Sequence, residues 1–249
     1  DPGTADGAAV INISLGSPGA PNDPLSQACN HAVGAGTVVV IGAGNSGPSY
    51  QSLTSPGMAE QAISVGATNK SDSLWPYSSR GPAPSTWAIK PDLVAPGVSI
   101  RSTVPGGAYA YGTGTSASTP HVAGAAALLR QLHPTWSPAW IKAALMNTAR
   151  DLGGSPFEQG AGRLQVAQAA ATPALLLPPS LSLGRVDGTQ PVWSRQETLT
   201  LTNVSTATVT YTLSITGSFP TGVDLVVSPT QVIIDPLSTT PLTLTVAVD

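Results

Sequence analysis

The sequence has little of what marks nucleic-acid binding, disulfide scaffolds or membrane spans. Only 9% of its 249 residues are charged, the net charge is −3, and Lys and Arg form no run. We therefore exclude nucleic acid as a partner, because its phosphates require clustered cations. A single cysteine, Cys29, cannot form an internal disulfide. Gly, Pro, Ser and Thr interrupt every apolar stretch, so no membrane span is predicted.

The first part of the sequence predicts an α/β domain with a parallel sheet. Residues 9–15, 37–41 and 63–68 are apolar and β-branched, which is typical of strands buried on both faces. Asp23 and Pro24 predict a helix start between the first two strands, and this order indicates a βαβ unit. Further helices are predicted at residues 115–130, from Ser137 and Pro138 onward, and near residues 164–170.

The composition changes after these helices. Residues 173–179 are rich in proline and predict a linker. Beyond it, residues 197–203, 206–216 and 241–248 alternate apolar residues with Thr or Ser, the pattern of strands with one solvated face. The predicted organisation is an α/β domain over residues 1–172, a linker over 173–179 and a small all-β sandwich over 180–249.

Residues 114–124 (GTSASTPHVAG) carry the strongest chemical signal. Ser116 lies at the predicted first turn of a helix, where backbone N–H groups face developing negative charge. By residue type alone, a serine that caps a buried helix is the commoner case. The segment nevertheless resembles the serine motif of the subtilisin-like serine proteases, G-T-S-x-x-x-P-H-V-A-G, at every fixed position. This resemblance implies that Ser116 is the nucleophile and that His121 is a structural residue of the motif, not the general base.

A second segment, residues 38–47 (VVVIGAGNSG), is similar to the family segment that carries the oxyanion-hole asparagine. The resemblance implies that role for Asn45. Its amide N–H₂, together with the Ser116 backbone N–H, would stabilise the charged oxygen of the tetrahedral intermediate. An asparagine in a glycine-rich turn is common, so this segment carries weight only beside the serine motif.

A third segment, residues 10–16 (VINISLG), is similar to the family strand whose end lines the substrate cleft and pairs with extended substrate. The resemblance implies a pocket with Ser14, Leu15 and Gly16 on one wall and Ala43 and Gly44 on the other. Both walls are uncharged, so we expect a preference for apolar or uncharged residues before the scissile bond.

The scaffold shows the same resemblance. Residues 55–57 (SPG) resemble the family's turn near the pocket floor, where a cis proline is usual, and residues 90–98 (KPDLVAPGV) resemble the strand and turn before the serine loop. The resemblance covers residues 8–170 and implies a subtilisin-like, parallel-sheet catalytic domain. The β-rich remainder resembles fibronectin-III-like or immunoglobulin-like sandwiches in architecture.

The sequence departs from the family where the other two triad members are expected. The family's Asp-Thr-Gly-like and His-Gly-Thr-His-like motifs precede the Ser-Leu-Gly strand, and neither occurs here. His31 and His133 are interpreted as solvated or packed side chains. We therefore expect a fragment that lacks the N-terminal part of the catalytic domain, with an upstream segment of the same protease as its partner. Alone, such a chain is expected to be inactive and to expose an aggregation-prone sheet edge.

Two hypotheses of function follow. The first is a secreted, extracellular serine endopeptidase that cleaves proteins or peptides through an acyl-enzyme on Ser116, with no required cofactor. The alternative is a catalytically dead pseudoprotease that acts as a binding or structural module, and the presence of both Ser116 and Asn45 argues against it. A lipase-like hydrolase is excluded, because Ser116 lacks a G-x-S-x-G elbow.

Family members often bind structural calcium, but the acidic residues of this sequence are scattered. Asp1 and Asp6 are the sole candidates, and no metal ligand is assigned.

Overall fold

The computed structural model describes residues 7–185, 192–217 and 219–249. These residues divide into two compact units. The first contains the described residues up to Ala170 together with Ser180–Gly184, and the second contains Ala171–Pro179 and the described part of Arg185–Asp249. The calcium candidates Asp1 and Asp6 lie outside the described residues. No helix in the described part of the chain is both long and apolar enough to span a membrane.

A four-stranded parallel sheet forms the centre of the first unit, with its strands side by side in chain order. The strands are β1 (Val10–Ile13), β2 (Val38–Gly42), β3 (Ile63–Thr68) and β4 (Leu93–Pro96). Every residue of β2 and β3 is buried, which explains why these segments are uninterrupted apolar runs. The predicted α/β class with a parallel sheet is confirmed. Among the described residues, β1 pairs only with β2.

Helices pack on both faces of this sheet. The helix α1 (Pro24–Gly34) begins after Asp23, whose carboxylate accepts a hydrogen bond from Ser26 N at 2.8 Å, as the sequence predicts. It contacts β2 through a cluster that includes Val39 and Ile41. The alternate strand residue Gly42 faces the other way, toward the helix α2 (Thr115–Leu132), which packs against all four strands. The remaining helices are α3 (Pro138–Asn147), α4 (Pro156–Gln159) and α5 (Val166–Ala171).

A hairpin that the sequence analysis does not predict precedes α2. Its strands, β5 (Ile100–Val104) and β6 (Ala108–Gly112), pair antiparallel. The turn between them contains Gly106 and Gly107, both with positive φ, a conformation that glycine adopts without steric cost. Almost every residue of the hairpin is exposed, so it lacks the burial pattern by which the other strands are recognised.

The second unit is built from antiparallel strands. Its larger sheet has the order β10 (Val223–Ser228), β12 (Thr239–Val248), β8 (Trp193–Asn203) and β7 (Ala174–Leu177), and a smaller sheet pairs β9 (Val209–Thr212) with β11 (Gln231–Ile234). The prediction of a linker over residues 173–179 needs correction, because β7 occupies its middle and pairs with β8. The prolines flank this strand without interrupting it, and Leu175 is buried.

Candidate active site

Ser116 lies where the end of β1 meets the start of α2. It is the second residue of α2 and is exposed to solvent. Its Oγ donates a hydrogen bond to the Ser14 carbonyl oxygen at 3.2 Å, and Ser14 Oγ donates to the Ser116 carbonyl oxygen at 3.1 Å. These reciprocal bonds join residues that are 102 positions apart in the sequence. The fold therefore brings together the predicted nucleophile and the predicted cleft strand.

Asn45 follows β2 and is held beside Ser116 by Thr115. The Asn45 Oδ1 accepts hydrogen bonds from Thr115 N at 2.9 Å and from Thr115 Oγ1 at 3.0 Å. Thr115 Oγ1 in turn accepts from Gly44 N at 3.3 Å, and Thr115 is only 2% exposed. Because an amide accepts through its oxygen, these donors leave the N–H₂ edge of Asn45 to donate elsewhere. The arrangement presents an amide donor next to a helix-terminal serine, as an oxyanion site requires.

A cavity of about 240 Å³ opens beside these two residues. Six of the predicted site residues line it, namely Ser14, Leu15, Gly16, Gly44, Asn45 and Ser116. Four more lining residues were not predicted as part of the site: Gly42, Ser46, Thr54 and Thr115. Thr115 could have been predicted from the sequence, since it occupies a fixed position of the serine motif. Thr54 carried no such signal, because its approach to the cavity depends on the loop between β2 and β3.

Ala43 is the exception among the predicted pocket residues. It does not line the cavity and is fully buried, in a core cluster with Leu53 and Met58. The alternation of side chains explains this correction, because consecutive residues in extended backbone point to opposite sides. Its carbonyl oxygen accepts a hydrogen bond from Thr54 N at 3.1 Å, so Ala43 fixes the neighbouring loop.

Two glycines keep the cavity open. A Cβ on Gly16 would lie 2.4 Å from Thr54 Oγ1, and one on Gly44 would lie 2.7 Å from Ser79 Oγ and 2.8 Å from Thr54 Oγ1. Gly44 also has φ of +113°, which L residues with a side chain rarely adopt. The cis Ser55–Pro56 bond that the resemblance implies is present and directly follows Thr54.

A larger cavity, of about 630 Å³, opens on the hairpin side of Ser116. Residues of β5, β6 and the first turns of α2 line it, among them Ala117, Pro120 and His121. The Nδ1 of His121 lies 2.9 Å from the Ala117 carbonyl oxygen, which can only accept, so Nδ1 is the protonated nitrogen. This bond ties the ring to its own helix, in agreement with a structural role for His121.

No histidine of the described residues hydrogen-bonds to Ser116 Oγ, whose partner is the Ser14 carbonyl. His31 is exposed on α1. His133 follows α2 and stacks on Trp136 with ring centroids 3.8 Å apart. The structure therefore bears out the interpretation of both residues as solvated or packed side chains, and neither is placed to remove the serine proton.

Charge is almost absent from the site. The residues of the smaller cavity are all uncharged, and Arg101, on the hairpin, is the only Lys, Arg, Asp or Glu lining the larger one. The guanidinium of Arg101 lies 4.5 Å from the Tyr109 ring centroid, a cation–π distance. In the described ranges, no group of three or more His, Cys, Asp or Glu residues is arranged to hold a metal ion. The polar groups that line the smaller cavity are hydroxyl, amide and backbone groups.

Comparisons with known proteins point to one family. Residues 3–162 match the profile of the subtilase family of S8 peptidases. Subtilisin BL of Lederbergia lenta is 45% identical over 148 residues, which are 59% of this chain and 51% of that protein. Subtilisin E of Bacillus subtilis is 45% identical over 164 residues, 65% of this chain and 40% of that protein. The chain thus spans about half or less of the length of these curated relatives.

A solved structure extends the comparison to the fold. A protease from Pseudoalteromonas arctica PAMC 21717 superposes with a TM-score of 0.59 at 31% sequence identity, covering 68% of this chain and 52% of that chain. The parallel sheet and its helices are therefore arranged as in that protease.

Proposed function

Because the chain belongs to the subtilase family, we propose that it is the nucleophile-bearing part of a serine endopeptidase. The observation that carries this proposal is the placement of Ser116 beside Asn45, with the amide of Asn45 fixed through Thr115 at 2.9 and 3.0 Å. A serine whose only task was to cap a helix would not need an anchored amide donor beside it.

The proposed reaction is acyl transfer. Ser116 Oγ attacks the peptide carbonyl carbon while a general base takes the hydroxyl proton, and the carbonyl oxygen becomes an oxyanion. The Asn45 N–H₂ and the Ser116 backbone N–H donate to that oxygen. The C–N bond then breaks, the base returns the proton to the leaving amine, and an acyl-enzyme remains on Ser116. Water, activated by the same base, hydrolyses this ester and restores Ser116.

The general base and the Asp that orients it are proposed to lie outside this chain. In the structure the Ser116 hydroxyl donates to the Ser14 carbonyl, an oxygen that does not take up a proton at neutral pH. Rotation about the Cα–Cβ bond of Ser116 would turn the hydroxyl away from Ser14. The cavity of about 630 Å³ on the hairpin side supplies space for an imidazole there. The second edge of β1, which pairs with no described strand, is the proposed contact for the polypeptide that carries it.

Protein or peptide chains are the proposed substrates. The exposed Leu15 and the uncharged residues of the smaller cavity favour an apolar or uncharged side chain before the scissile bond, because an unpaired charge would lose its hydration there. The mechanism needs no cofactor. Secretion is proposed from the low content of charged residues and the abundance of Ser, Thr and Gly. The two antiparallel sheets of the second unit support a fibronectin-III-like sandwich as its architecture.

Covalent labelling of the whole gene product tests the proposal. A peptidyl fluorophosphonate should modify Ser116, identified by peptide mass spectrometry, and Ser116→Ala should abolish both labelling and turnover of peptide p-nitroanilides. The matched control is Ser71→Ala, which removes an exposed hydroxyl remote from both cavities. Substrates with Leu before the scissile bond should exceed those with Glu by at least about tenfold in kcat/KM.

Two outcomes would overturn parts of the proposal. A folded gene product without labelling or turnover would support the pseudoprotease alternative. Robust peptide hydrolysis by residues 1–249 alone, abolished by Ser116→Ala, would show that the base does not come from outside this chain.

A further inference from the structure

The carbonyl oxygen of Ser116 has lost its usual helical partner. In an α-helix the carbonyl of residue i accepts from the N–H of residue i+4, and for Ser116 that residue is Pro120, which has no N–H. The helix α2 continues past Pro120 to Leu132. The carbonyl oxygen of Ser116 is therefore free to accept from a donor outside its own helix.

Ser14, the residue that follows β1, supplies such a donor. Its Oγ donates to the Ser116 carbonyl oxygen at 3.1 Å. A hydroxyl has one proton, so a second hydrogen bond to the same Oγ must come from a donor. The side chain of Asn12 meets this requirement, with Nδ2 donating to Ser14 Oγ at 3.0 Å. The three groups form a directed chain from Asn12 through Ser14 to the backbone of Ser116.

We propose that Asn12 is a positioning residue for the nucleophile, acting by holding the Ser14 hydroxyl in the direction of the Ser116 carbonyl oxygen. This role rests on the proposed function. Asn12 interrupts the apolar strand β1 and is exposed, so packing in the core does not account for an asparagine there. Its amide accounts for it, because an apolar residue could not orient Ser14.

The Asn12 chain complements the contact made by Asn45. On one side of Ser116, Thr115 N donates to Asn45 Oδ1 at 2.9 Å; on the other, the Ser116 carbonyl accepts from Ser14. The backbone at the nucleophile is thus hydrogen-bonded to the segment that follows β2 on one side and to the segment that follows β1 on the other. Side-chain rotation at Ser116 can then occur while the N–H that faces the oxyanion keeps its direction.

The substitution Asn12→Asp tests this role with almost no change of shape. A carboxylate only accepts, so it would draw the single proton of Ser14 away from the Ser116 carbonyl. In the whole gene product we expect kcat to fall about tenfold, the size of one net hydrogen bond, with KM and the melting temperature unchanged. Ser14→Ala should give the same loss, and the double variant should lose no more than either.

The control is Asn22→Asp, which adds the same charge at an exposed asparagine outside both cavities and should leave kcat unchanged. In the same whole gene product, amide hydrogen exchange at the first turn of α2 should be faster in Asn12→Asp and Ser14→Ala than in Asn22→Asp. This second measurement needs no turnover, so it tests the role of Asn12 even where kcat is too low to measure.

Three results would overturn the assignment. An Asn12→Asp enzyme with unchanged kcat, while Ser116→Ala is inactive, removes the role of Asn12 and leaves the proposed function intact. If Asn12→Asp lowers kcat, raises KM and lowers the melting temperature together, Asn12 has a purely structural role. Turnover that survives Ser116→Ala would remove the proposed function and this role together.

Discussion

The two ends of the parallel sheet are held together by different kinds of interaction. At the carboxyl ends of β1 and β2, the candidate site holds Ser116 and Asn45 with hydrogen bonds between uncharged groups, and both residues are exposed. At the amino ends of β3 and β4, a buried ion cluster (Lys90, Asp92 and Lys142) joins two cations to one carboxylate. Neutral hydroxyl, amide and backbone groups hold the first end, whereas salt bridges at the second end join the sheet to α3.

The geometry of the buried ion cluster shows how completely its charges are satisfied. Asp92 accepts from Lys90 at 2.7 Å, from Lys142 at 3.0 Å and from Ser64 N at 2.7 Å, and both lysines also donate to the Ala62 carbonyl. Burial would raise the pKa of Asp92, but the adjacent ammonium groups of Lys142 and Lys90 outweigh it and lower that pKa. The cluster is therefore held together by its single anion.

Removal of that anion should have the largest effect. Asp92→Asn leaves two buried ammonium groups without a counter-charge, so we expect a loss of about 3–5 kcal/mol in the free energy of unfolding. Urea titration followed by tryptophan emission measures it. Asp72→Asn is the control, because its partners Arg150 and Arg163 lie nearer the surface, and its loss should be about 1 kcal/mol or less. Equal losses in the two variants would contradict the contrast between the buried cluster and a surface pair.

The matching change at the other end of the sheet should affect rate in place of stability. Asn45→Ala removes the proposed donor to the developing oxyanion, so we expect kcat of the whole gene product to fall by about 10²–10³, or roughly 3–4 kcal/mol, with KM little changed. Steady-state turnover of a peptide p-nitroanilide measures the loss. Asn30→Ala is the control, since Asn30 Oδ1 also accepts from a backbone N–H, that of Gln61, but lies away from the site. A similar loss in both variants would exclude an oxyanion role for Asn45.

These two ends were not equally predictable from the sequence. Strands β2 and β3 follow from their unbroken apolar runs, and Ser116 and Asn45 follow from contiguous motifs. The buried ion cluster does not, because Lys142 reaches Asp92 across 50 residues of sequence and nothing local marks the meeting. The strand β7 was missed for a related reason, because its partner β8 lies further along the chain. The hairpin β5–β6 was missed for a different reason: its two strands pair with each other, but they are exposed and do not alternate apolar with polar residues.

The pH dependence of stability separates the charged end from the neutral end. Burial lowers the pKa of Lys90 to about 8 from its ordinary 10.5, against the attraction of Asp92. The folded state therefore disfavours protonated Lys90, and stability should rise as pH increases from about 8 to about 10.5, by roughly 2 kcal/mol. Urea titrations at both pH values measure the gain. Lys90→Met should lack it, and a variant that keeps the full gain would show that other groups are responsible.

The smallest effect should come from the residue that orients the Asn45 amide. Thr115→Val keeps the shape of a buried side chain and the backbone bond to Asn45 Oδ1. It removes the Oγ1 bond of 3.0 Å to Asn45 and the weaker bond of 3.3 Å from Gly44 N. We expect kcat of the whole gene product to fall about fivefold, or about 1 kcal/mol, with KM unchanged. Thr115→Ser retains the hydroxyl and should retain most of the rate, as measured with the same p-nitroanilide. If valine and serine at this position give equal rates, the backbone N–H of residue 115 alone is enough to hold Asn45. The candidate site would then tolerate the loss of a hydrogen bond far better than the buried ion cluster tolerates the loss of its anion.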